Sequence, residues 1–94
     1  MIEDIRGTFL HRFTSLARTR LAKSREAAAD LSTLGTAVRE LHSLAGEAGL
    51  LGISDVVPLA RRGEDLARKL GAGEAGESLV AILDELDRII AELG

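Results

Sequence analysis

Cysteine, tryptophan and tyrosine are absent from this chain of 94 residues; phenylalanine occurs twice and proline once. Without cysteine there is no disulfide, no zinc–thiolate site and no thiol nucleophile. With so few rings and β-branched residues, the vocabulary that strands favour is largely missing. No apolar run approaches the ~18 residues that span a bilayer, and no basic, then apolar, then small-residue leader opens the chain. Twelve basic residues stand against fifteen acidic ones, a formal charge of -3, which removes the electrostatic case for nucleic acid. There is no nucleotide-binding signature, no glycine-rich phosphate loop after a strand and no kinase motif. The expectation is a soluble cytoplasmic protein, or a soluble piece of a larger one, folded as one domain over 1–94.

What is present is Ala, Leu, Glu and Arg, the strong helix formers. Four periodic stretches follow one another. The first carries Ile2, Ile5, Phe9, Phe13, Leu16, Leu21 and Ala28 at spacings near three and four. Gly7 weakens its start, so the opening turn is expected to fray or to form a short extra N-terminal helix. Asp30 is a candidate N-cap for the second helix, whose stripe is Leu34, Ala37, Leu41, Leu44, Ala48 and Leu51. Gly52 stands where a glycine ends a helix. Asp55, preferred over Ser54, caps the third helix and puts Pro58 at its third position, where no intrahelical donor is lost. Its seam is Val56, Leu59, Gly63, Leu66 and Leu70. Glycines crowd 71–76 and predict a connection. The fourth stripe is Leu79, Ile82, Leu83, Leu86, Ile89, Ile90 and Leu93. The fold class is therefore all-α, an antiparallel up-down four-helix bundle.

One polar residue stands out by direction. At about 100° per residue, His42 points about 130° away from the centre of the second stripe and Gly46 about 170° away. Ala45 and Gly46 follow one turn on and Gly49 two turns on. Exposed helix positions normally take long polar side chains, and glycine there costs about 1 kcal/mol relative to alanine. Access to the imidazole is a reason for such a surface. Taken singly, an exposed histidine is ordinarily a solvated side chain, and small residues at this spacing ordinarily mark close helix packing. Here they coincide on one face.

The run Leu41-His42-Ser43-Leu44-Ala45-Gly46-Glu47-Ala48-Gly49-Leu50-Leu51-Gly52 resembles the signature of histidine-containing phosphotransfer (HPt) domains: His, any residue, Leu, Lys, Gly, then small residues ending in Gly. His42, Leu44, Gly46 and Gly52 match in register. The continuation from Ile53 through Leu59-Ala60 to Glu64 is similar to the family's next helix, which often carries an acidic residue near that point. The resemblance implies that His42 accepts a phosphoryl group on Nε2 from a receiver-domain aspartate or a sensor kinase. It would then pass the group on as a carrier without its own catalytic centre. Arg39, Ala45, Gly46 and Gly49 would be its neighbours and the partner-docking surface. No cofactor is implied in this chain, the magnesium ion belonging to the receiver, and a monomer is expected.

Two departures qualify this. The family's lysine is replaced by Ala45, so positive charge must come from elsewhere: Arg39 first, then Arg61 and Arg62, whose ordinary reading is solvated surface. Glu47 adds negative charge where the family often has a small residue. Ala45 keeps open an HPt-like adaptor that binds a response regulator without phosphotransfer, and the small face keeps open a plain homodimerising bundle. Elsewhere, His11 is expected at the surface or boundary, and Ser43 has no evident base. Asp84, Glu85 and Asp87, with no histidine or cysteine beside them, suggest a solvated acidic face.

Overall fold

The computed structural model describes residues 2–71 and 77–93 and places four helices in them: α1 (Ile2–Ala28), α2 (Leu34–Leu51), α3 (Val56–Gly71) and α4 (Glu77–Leu93). Short connections turn α1 into α2 and α2 into α3. α2 packs on α1 and α3, and α4 closes the square against the same two, as an up-down bundle requires. The body is 50 Å long and 19 Å across, and α1, half as long again as any partner, runs along most of it. Among the described residues, no helix is long and apolar enough to cross a membrane.

The helix ends differ in part from expectation. Gly7 lies inside one continuous α1; its cost is about 1 kcal/mol, too little to divide a 27-residue helix. Among the described residues there is no separate N-terminal helix. Asp30 does not cap α2. Its Oδ1 accepts bonds from the Ser32 amide at 3.0 Å and the Ser32 hydroxyl at 2.9 Å, holding a 3-10 turn, Leu31–Thr33, from which α2 starts. Those two bonds, the amide first, pull the Asp30 carboxyl below its ordinary value. The end of α2 is as expected. Gly52 adopts φ 72°, ψ 24°, and the Ile53 amide reaches the Ala48 carbonyl at 2.9 Å, the Schellman pattern. Asp55 directly precedes α3, so Pro58 is its third residue. The glycine-rich connection falls, apart from Gly71 at the end of α3, outside the described residues.

Apart from Phe13 the core is aliphatic: Leu21, Leu41, Leu44, Leu79, Leu83, Leu86 and Ile90 are buried with alanines between them. On three helices the buried stripe keeps part of the one expected and exchanges one or two large residues for alanine. α1 buries Ala17 while Phe9 and Leu16 are exposed, α2 buries Ala45 while Leu51 is exposed, and α3 buries Val56, Ala60, Gly63, Ala67 and Leu70 while Leu59 and Leu66 lie half-buried at the edge. Alanine and glycine line the α3 seam, so its neighbours come close. A Cβ on Gly63 would stand 3.1 Å from Leu41 Cδ1 and 3.3 Å from Ile82 Cγ2. The two hydroxyls buried among the described residues are satisfied within α1, Ser24 by the Arg20 carbonyl at 2.8 Å and Thr14 by that of His11 at 2.9 Å, as buried polar groups must be.

Ion pairs fasten the outer edges. Arg20 on α1 grips Glu47 of α2 through Nε and Nη2, both at 2.8 Å, and reaches Glu40 at 2.9 Å. Arg25 pairs with Asp84 and Asp87 of α4, while Glu85 pairs with Arg88. The acidic run on α4 is thus partly an interhelical clamp rather than only a solvated face.

Candidate functional site

α2 fixes the direction of His42. With Leu34, Ala37, Leu41, Leu44 and Ala48 turned inward, the imidazole must point outward, and its side chain is 75% exposed. It is nevertheless held. Across the narrow α2–α3 seam, Nδ1 lies 3.2 and 3.3 Å from the two carboxylate oxygens of Glu64. Glu64 is only 14% exposed, and Arg68, one turn along α3, donates to its Oε2 at 2.5 Å. The Arg68 bond first, and the His42 contact after it, hold the Glu64 carboxyl below its ordinary value against the opposing effect of burial.

These facts assign the tautomer. An ionised carboxylate has no proton to give, so Nδ1 must carry the hydrogen and donate it. In the neutral ring the lone pair is then on Nε2, which has no protein partner among the described residues. A bare nitrogen nucleophile on an oriented, exposed ring is the chemical content of the site.

Around it, His42, Ala45, Gly46, Arg61 and Glu64 enclose a shallow depression of about 410 Å³. Of the neighbours expected from sequence, Gly46 is where it was placed: exposed, helical, with open space where a Cβ would be. Gly49 is equally open and belongs to the next depression along the seam, with Gly52, Ile53, Val57 and Pro58. Ala45 lines the depression beside His42; it is 4% exposed and forms the floor, because α3 covers that side of α2. Arg39 is exposed on α2. Its Nη2 bonds Thr36 Oγ1 at 3.2 Å, toward the start of α2, and it does not line the depression. Glu47 faces α1 in the grip of Arg20, so its charge is balanced and turned aside from His42. His11 is exposed, as expected.

The sequence placed neither Glu64 nor Arg68 at the site. The signal was available in Arg61, Glu64 and Arg68, which fall on one stripe of α3 at i, i+3 and i+7.

The family model of the Hpt domain matches residues 8–93, nearly the whole chain. The chain belongs to the Hpt domain family. Hpt domains are helical bundles that mediate histidine phosphotransfer in phosphorelays, as carriers rather than catalysts. No curated protein and no solved structure matches the chain.

Proposed function

We propose that this Hpt domain carries a phosphoryl group on Nε2 of His42. It receives the group from an aspartyl phosphate of a receiver domain, or from a sensor kinase, and delivers it to another receiver. The observation that carries the reading is the anchored ring: Nδ1 is committed to Glu64, and the side chain is otherwise three-quarters exposed. In the transfer, the Nε2 lone pair forms the N–P bond as the P–O bond to the receiver's carboxylate breaks. Nδ1 keeps its proton throughout. The ring becomes cationic, and Glu64 is already placed to stabilise that charge. Little covalent work is asked of the protein, so positioning and electrostatics account for the chemistry.

The partner approaches over a surface kept low by Gly46 and Gly49. Further along the same side of α2, Leu50 is 89% exposed, and an apolar groove of about 380 Å³ lined by Phe9, Leu51, Ile53 and Leu93 closes the bundle end. Exposed apolar area beside a low polar rim suits protein docking. In this reading the chain acts as a cytoplasmic monomer without a cofactor, and the receiver brings the magnesium ion.

The buried Ala45 favours a second reading, an adaptor that binds a receiver without accepting phosphate. Incubation with phosphorylated receivers separates the two. Acid-labile label on the wild-type chain and none on His42→Gln supports the carrier; receiver binding with no label supports the adaptor.

A further inference from the structure

This inference rests on the carrier reading and concerns how the phosphoryl group is held once it arrives. The group brings about two negative charges into a depression that already contains the Glu64 carboxylate. Alanine on the floor offers nothing to offset them. Four arginines lie on the facing turns of α2 and α3: Arg39, Arg61, Arg62 and Arg68. Arg39 is bonded to Thr36, and Arg68 is committed to Glu64. Arg61 lines the depression with His42, is exposed, and has no hydrogen bond or ion pair among the described residues. Its partners of ordinary helical spacing would be Glu64, three residues on, and Asp65, four on. Arg68 and His42 occupy the Glu64 carboxylate and Asp65 forms no ion pair with Arg61, so its guanidinium is uncommitted among the described residues.

We propose that Arg61 is the phosphoryl-binding cation of this Hpt domain, supplying from α3, across the seam, the charge that Ala45 cannot supply from α2. A guanidinium presents forked donors that match two oxygens of a phosphoryl group. With Glu64 at Nδ1 and Arg61 at the group carried on Nε2, the cationic ring and its anionic substituent each face an opposite charge. Arg62, the next residue, is exposed but does not line the depression, and serves as the control.

Phosphoramidate is the probe, since it transfers its phosphoryl group without a receiver: the N–P bond to Nε2 forms, the P–N bond of the donor breaks and ammonia leaves. Wild type, Arg61→Ala, Arg61→Lys, Arg62→Ala and the double variant Arg61→Ala with Ala45→Lys are loaded, and phosphorus NMR follows phosphohistidine formation and decay. Arg61→Ala is expected to form it more slowly or lose it faster by about tenfold, the scale of one charge-assisted hydrogen bond. Arg61→Lys should keep most of the wild-type behaviour, Arg62→Ala should match wild type, and Ala45→Lys should restore much of the loss, since a lysine stem can run out of the seam to put its ammonium in the depression. A labelled wild type with an indifferent Arg61→Ala, or an equal loss in Arg62→Ala, overturns the inference alone. A wild type that takes no label on His42 overturns the carrier reading, and this inference with it.

Discussion

Replacing Gly46 separates stability from transfer. Gly46 lies in the middle of α2 with nothing within 4 Å of where a Cβ would stand, so no neighbour resists a side chain. Glycine in a helix interior costs about 1 kcal/mol relative to alanine. Gly46→Ala should therefore stabilise the fold by about that amount, and for a domain of this size the melting temperature should rise by roughly 4–8 °C. Gly46→Gln retains more than half of the gain, because glutamine is also a good helix former. It also sets a long side chain one turn from His42, where Cβ atoms are only about 5–6 Å apart. An in-line donor carried by a receiver must then stand off, and displacements of about 1 Å already cost up to 100-fold. Melting by circular dichroism, uptake from a phosphorylated receiver and uptake from phosphoramidate are measured side by side. The expectation is a higher melting temperature, receiver-dependent uptake reduced at least about tenfold, and phosphoramidate uptake close to wild type. Transfer from the receiver at the wild-type rate in a stably folded Gly46→Gln would refute the argument that glycine is there for access.

Gly63→Val places methyl groups into a space where a bare Cβ already meets Leu41 and Ile82 at 3.1 and 3.3 Å; it should cost about 1–3 kcal/mol, seen as a lower urea midpoint with an unchanged slope. Arg20→Ala removes the grip on Glu47 and Glu40 and leaves Glu40, only 14% exposed, without its closest cation. Discounted for the partial exposure of the arginine, the loss should be about 1–2 kcal/mol by the same measurement. The Glu64 carboxyl is held low by Arg68 and then His42, so its contribution is present above the ordinary glutamate value of about 4.3 and is lost as pH falls through its lowered value. The stability difference between wild type and Glu64→Gln should accordingly be constant near neutral pH and shrink in acid; a difference that grows below pH ~4 would contradict the assigned ion pairs.

The outward direction of His42 was legible because α2 carries large apolar residues at regular spacing, and angle follows from spacing alone. The site's second half was not, for a reason visible in α3. Val56, Gly63 and Leu70 were placed in the seam, but weighting by size added Leu59 and Leu66, whereas the helix buries Ala60 and Ala67, whose value lies in close approach rather than in transferred area. With the seam drawn toward the two leucines, Glu64 could not be aimed at His42. The same bias exchanged Leu51 for Ala45 on α2, and Phe9 and Leu16 for Ala17 on α1. Asp30 was recognised as a capping residue but assigned to the wrong turn, since an aspartate before Leu-Ser-Thr serves a 3-10 turn as readily as a helix. The arginine network joining α1 to α2 and α4 depends on partners 20 to 62 positions apart, which no local pattern encodes.

Glu64 meets the ring at 3.2–3.3 Å, already near the outer limit of a useful hydrogen bond. The missing side chain at Gly63 therefore acts as a spacer gauge for a proton. Wedging α3 away by half an ångström would leave the bundle folded yet free the imidazole to exchange tautomers. Interior variants of this protein that still fold but carry phosphate more poorly than their lost stability accounts for should therefore be looked for along that seam, well away from anything a partner touches.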